Sequence, residues 1–69
     1  MFKANPESIQ IVLEHLPNAE ALLSAATLNE LLLPLDEYLT YIGFDENYEL
    51  TELGNKLQRA YDDFYYSNP

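Results

Sequence analysis

The sequence predicts a mainly α-helical fold: a compact bundle of about four helices forming one small acidic domain over residues 1–69. Three observations predict it. Apolar residues recur at intervals of three and four along most of the chain, the spacing of one helix face. Each such run is preceded by residues that satisfy the free amides of a helix start. Sixty-nine residues also leave room for only one domain, whose core is small for its surface.

The first helix begins at Asn5-Pro6-Glu7. Asn caps free amides, Pro suits the first helical position, and Glu favours the positive end of the dipole. Ile9, Val12, Leu13 and Leu16 then form its apolar face, Ile11 falls off that face, and Pro17 stops the helix. Asn18 is placed to cap a second, short helix from Ala19 to about Ala26, with Leu22 and Leu23 among small alanines. Thr27-Leu28-Asn29-Glu30 has the form of a capping box, in which Thr and Glu each satisfy the other's backbone amide.

Leu28 to Phe44 carries the longest apolar stripe: Leu28, Leu31, Leu32, Leu35, Tyr38, Leu39 and Ile42. Pro34 lies inside it and removes one hydrogen bond, yet the apolar phase continues across it. One helix bent at Pro34, or two nearly coaxial ones, follows. Gly43 suits a left-handed helix end with Phe44 folding back on Leu39. Asp45 to Leu50 is a polar connection in which Tyr48-Glu49-Leu50 alternates as a strand does. Thr51 caps the last helix, Glu52 to about Tyr66. Leu53, Leu57, Ala60, Tyr61 and Phe64 face inward; Lys56, Arg59, Asp62 and Asp63 lie mostly outside.

The stretch Leu32–Gly54 resembles a winged-helix domain. The carrying residues are Leu35, Leu39 and Ile42-Gly43-Phe44 closing one helix, then Tyr48-x-Leu50-Thr51-x-x-Gly54 opening the next. The resemblance implies a rudimentary two-stranded wing at 43–50. In DNA-binding members the third helix carries basic or amide side chains into the major groove. Here its polar positions are Asn29, Glu30, Asp36, Glu37 and Thr40, and the wing would be Asp45, Glu46 and Asn47. The resemblance therefore implies a protein-contacting or dimerising version rather than a DNA reader.

Charge limits the partners further. Twelve acids oppose three bases, and Ala4 to Asn55 carries ten acids with no Lys or Arg. Such a surface repels phosphate backbones and anionic membranes. No run of about 18 apolar residues offers a membrane span. The first ten residues lack the pattern of a signal peptide, so a soluble, cytoplasmic protein is expected.

Chemistry is sparse. There is no cysteine and one histidine, so thiolate and multi-imidazole metal sites are out. Asp45, Glu46, Asn47, Glu49 and Glu52 concentrate oxygen ligands, but an EF-hand loop starting at Asp45 would need Gly at position 50 and Glu at position 56, where Leu and Lys stand. The acid pairs Asp36-Glu37 and Asp62-Asp63 diverge by about 100° on a helix and cannot converge on one substrate atom. His15 sits where a helix C-terminus favours a cation, with no nucleophile partner set. No catalytic residue, cofactor or metal site is expected.

Aromatics say more. Tyr38, Tyr61 and Phe64 fit inner faces, whereas Tyr41, Tyr65 and Tyr66 do not, and tyrosine is enriched at interfaces. The expected function is a non-enzymatic protein-binding or regulatory module that self-associates as a homodimer or larger homo-oligomer. Its contact residues would be Asp36, Glu37, Tyr41, Asp45, Glu46, Glu49, Tyr65 and Tyr66. The alternative is an inhibitor, of the kind common among phage and mobile-element products, whose carboxylates stand in for phosphates at a nucleic-acid-binding target. A DNA-binding repressor is the third reading, disfavoured by charge.

Overall fold

The apolar runs become four helices: α1 (Pro6–His15), α2 (Ala19–Leu23), α3 (Asn29–Ile42) and α4 (Glu52–Ser67). The computed structural model describes residues 1–69. α1 and α3 both pack on α4, which is the central element. The radius of gyration, 11.4 Å, is close to the roughly 11 Å of a folded chain this long. Val12, Leu31, Leu35, Leu57 and Phe64 are sealed from solvent at the centre, so every helix but α2 contributes to the innermost layer. From α2, Ala19 and Leu23 close its side.

Several local expectations are corrected. On α1 the buried face is Ser8, Ile11 and Val12: Ile11 is only 8% exposed, while Leu13 is 43% exposed. The reason is α4, which meets α1 along the side where Ile11 lies near Ala60. α2 ends at Leu23 rather than Ala26, and Asn18 makes no side-chain cap. Its backbone is left-handed instead, at φ 56°, a conformation Asn tolerates and one that turns the chain after Pro17.

The capping box before α3 forms by half. The Glu30 carboxylate accepts the Thr27 backbone N–H at 2.8 Å. The Thr27 hydroxyl turns to the same carboxylate at 3.3 Å, and the Thr27 carbonyl takes the Glu30 N–H at 3.2 Å. α3 then runs unbroken across Pro34 as one helix. Pro34 lies early in the helix, so the amide it lacks would have served only the Glu30 carbonyl in the first turn.

Gly43 is not left-handed. Its φ of −81° and ψ of −4° are right-handed, and its N–H continues to the Leu39 carbonyl at 2.8 Å. Glycine is needed there for space. A Cβ on Gly43 would strike the Leu39 carbonyl oxygen and come within 2.7 Å of a Leu39 methyl. A Cβ on Gly54 would strike the Gly43 carbonyl oxygen. The end of α3 and the start of α4 thus meet backbone to backbone. Nor does Phe44 fold back to lock α3: it is exposed, and it pairs with Leu50 in a single antiparallel bridge. That bridge is all the β-structure present, so 43–50 is a turn and not a two-stranded wing.

Thr51 caps α4 as expected, its hydroxyl accepting the Gly54 N–H at 2.9 Å. Asp63 departs from expectation. Rather than pointing away from the bundle, its carboxylate accepts the Asn5 N–H at 2.7 Å, the Ser8 hydroxyl at 2.7 Å and the Ser67 hydroxyl at 3.1 Å. α1 is therefore capped from another helix, and Asn5 makes no side-chain cap of its own. The chain ends are clasped beside it. Asn68 accepts the Lys3 N–H at 2.8 Å and donates to the Lys3 and Phe64 carbonyls at 2.8 and 2.9 Å.

Two predictions follow from these contacts. Gly54→Ala forces two backbones apart and should lower unfolding free energy by about 1–3 kcal/mol, the usual range for overpacking, in a urea titration. The Asn5 N–H above all, then the Ser8 hydroxyl, hold the Asp63 carboxyl below its ordinary value of 3.8; desolvation opposes them, and Ser67 adds a smaller lowering. A depressed folded-state value stabilises fully above 3.8, and the stabilisation is lost as pH falls through the folded value. Asp63→Ala should therefore melt below wild type near neutral pH, and the gap should shrink in acid. A gap independent of pH would remove the charged contribution.

Candidate functional site

The short exposed segment between the end of α3 and the start of α4 is closed by its own hydrogen bonds. Its two ends are held together because the Gly43 carbonyl accepts both the Thr51 N–H at 2.8 Å and the Thr51 hydroxyl at 3.2 Å. Inside, Asp45 organises the turn. One carboxylate oxygen accepts the Asn47 and Glu49 N–H groups at 2.8 and 3.0 Å. The Asp45 N–H reaches the Glu49 carbonyl at 2.9 Å, and the Asp45 carbonyl accepts the Tyr48 N–H at 3.0 Å. This is the side-chain mimicry of a backbone turn at which Asp excels.

The turn presents apolar groups where a polar loop was expected. Tyr48 is 88% exposed, and its φ of 60° puts a bulky side chain in the left-handed region, which costs on the order of 1 kcal/mol. Tyr41, the last residue but one of α3, is 85% exposed. Phe44 and Leu50 stand opposite each other across the bridge, which puts their side chains on one face. Both are exposed. Glu46, Glu49 and Glu52 are exposed among them. The result is an aromatic and aliphatic patch with acids interleaved.

The expected contact residues divide. Tyr41, Glu46 and Glu49 gather on or beside this turn. Asp45 is there too, but one of its carboxylate oxygens is spent on the turn's own amides. Glu37 lies four residues before Tyr41, and Leu33 four before that, so an exposed stripe on α3 runs into the patch. Asp36 is exposed beside it on the helix. Tyr65 and Tyr66 are elsewhere. They lie about 20 Å along α4 from Glu52 at 1.5 Å per residue, in an edge-to-face pair with ring centroids 5.1 Å apart. They form a second patch.

Phe44, Tyr48 and Leu50 join the expected contact residues at this turn. Their signal in the sequence was ambiguous, since alternation at Tyr48-Glu49-Leu50 suits a strand with one side covered. Only the bridge and the left-handed Tyr48 reveal that neither side is.

Elsewhere chemistry is thin. His15 meets Tyr38 with its Nδ1 3.4 Å from the hydroxyl and rings 5.9 Å apart, a weak tie between α1 and α3. An open groove between α1 and α4 has Glu7 and Glu14 on one wall and Lys56 and Arg59 on the other, so its charges balance. No group of three acids or histidines has the geometry to hold a metal ion. No helix is long and apolar enough to cross a membrane. No protein-family model, curated protein or solved structure matches the chain.

Tyr48 yields a test of the site's own energetics. Asn adopts the left-handed conformation readily, so Tyr48→Asn should leave the fold intact and raise unfolding free energy by up to about 1 kcal/mol. A loss of stability in thermal or urea unfolding would show that the exposed ring supports the turn instead.

Proposed function

We propose that this protein is a small non-enzymatic binding module that modulates another protein through the Tyr41–Glu52 turn. The observation that supports this reading most is the exposure of Tyr41, Phe44, Tyr48 and Leu50 on a turn held by its own hydrogen bonds. Large side chains on a fixed scaffold bind with little ordering cost, which is how interface anchors gain affinity. Stability alone would favour Gly or Asn over Tyr at position 48. Glu46, Glu49 and Glu52 supply the rim and its sign. A target that ordinarily binds nucleic acid fits the same charge, and the turn would then act by occupying a phosphate site.

The Tyr65–Tyr66 pair supports self-association as a separate property at the other end of α4. Its geometry is that of two rings already in contact with each other and open to a third.

Affinity capture with wild type and the Tyr41→Ser/Tyr48→Asn double variant tests the first claim. A protein retained by wild type, lost by that variant and kept by Tyr65→Ser/Tyr66→Ser is expected. Identical retention by all three would overturn the turn as the binding surface. Sedimentation equilibrium tests the second: wild type should dimerise at micromolar concentration, and Tyr65→Ser/Tyr66→Ser should be monomeric.

A further inference from the structure

Resting on the turn as the binding surface, we infer that its occupant is an arginine-bearing basic segment of another protein, with guanidinium groups set over the Tyr41 and Tyr48 rings. The first ground is ring exposure. Both tyrosines offer open faces to solvent, and a cation over such a face is attracted by the ring quadrupole, more often Arg than Lys. The second ground is independent of the rings. Phe44 and Leu50 form an exposed apolar pair across the bridge of the same turn, so the occupant needs apolar side chains or stems as well as charge. Arginine supplies both, a planar cation and an aliphatic stem that lies along apolar surface.

The third ground is charge complementarity. Glu46, Glu49 and Glu52 border the patch, and no Lys or Arg lies between Ala4 and Asn55 to neutralise them from the same stretch. The nearest basic residue in sequence is Lys56, one turn into α4 beyond Glu52. A carboxylate beside a ring edge can take the in-plane N–H pair of a guanidinium whose flat face lies on the ring. Ammonium has neither a flat face nor a parallel pair of N–H groups, so it makes both contacts less well. A second copy of this chain is the poorer occupant, because it brings the same excess of acid.

The test uses the intact protein and three synthetic peptides of equal length: arginine alternating with leucine, its lysine twin, and its glutamine twin. Binding is read by chemical-shift perturbation of backbone amides. The arginine peptide should bind about threefold tighter than the lysine twin, as expected for a weak cation–π preference, and shift amides of 41–52. Tyr41→Ser/Tyr48→Asn should weaken the arginine peptide about tenfold and erase the preference over lysine. Tyr65→Ser/Tyr66→Ser should change neither.

Equal affinity for arginine and lysine peptides, or shifts spread over the whole acidic surface, would overturn the inference in favour of unspecific charge attraction. Tighter binding of the glutamine twin would overturn it in favour of an uncharged apolar partner. Both outcomes leave the binding role of the turn standing if capture still depends on Tyr41 and Tyr48. Loss of that dependence removes the role itself.

Discussion

The end of α3 and the start of α4 touch through bare backbone at Gly43 and Gly54, and no side chain of any size fits between them. This contact fixes where α4 begins relative to α3, and therefore how Leu57, Ala60 and Phe64 meet Leu31, Leu35 and Leu39. It also fixes the turn. With Gly43 against Gly54, the Gly43 carbonyl lies within reach of both donors of Thr51, and the Thr51 hydroxyl remains able to accept from the Gly54 amide. One close approach thus joins core packing, helix capping and loop closure. Such a tight helical corner leaves no room for the intervening residues to fold inward, which is why Phe44, Tyr48 and Leu50 are turned out to solvent.

Asp63 plays the corresponding part at the opposite end of α4. A carboxylate with three donors, one of them a backbone amide, holds the start of α1 against the end of α4. The Asn68 amide completes that end by bonding both backbone groups of Lys3 as a strand neighbour would. A domain this small has little core to spare, so polar ties at both ends of the central helix matter more than they would in a larger one. The two chain termini, usually the first parts to fray, are held by side chains.

Helix number, order and most boundaries were legible in the sequence because each depends on local chemistry: Pro6, Pro17, Thr51 and the spacing of Leu31, Leu35, Leu57 and Phe64. What was not legible depends on partners distant in sequence. Ile11 and Leu13 are equally apolar, and only the position of α4 decides which is buried. Asp63 and Asp62 are chemically alike, and only the approach of Asn5 and Ser8 distinguishes them. Gly43 has two physical uses, left-handed backbone or close approach, and the sequence alone suggested the first. Of the candidate site, Tyr41, Asp45, Glu46 and Glu49 were legible as polar or off-face residues. Tyr48 was not, because its exposure follows from the turn's hydrogen bonds.

The charge of the molecule bears on which partner such a surface can take. Two copies, each at −9 and brought to a separation of about 20 Å, the shorter width of the molecule, repel by on the order of 1–3 kcal/mol even when physiological salt screens them. Exposed ion pairs return only about 0–1 kcal/mol each. Any self-association must therefore rest on apolar area such as the Tyr65–Tyr66 pair, and should strengthen as salt rises. A basic partner reverses the long-range sign, so that encounter at the acidic turn is steered and weakens as salt rises. The two patches of this protein thus belong to opposite ionic regimes. On the proposed reading, their separation along α4 would let one molecule hold a basic target at the Gly43–Gly54 corner and leave the far end of the helix free for a copy of itself.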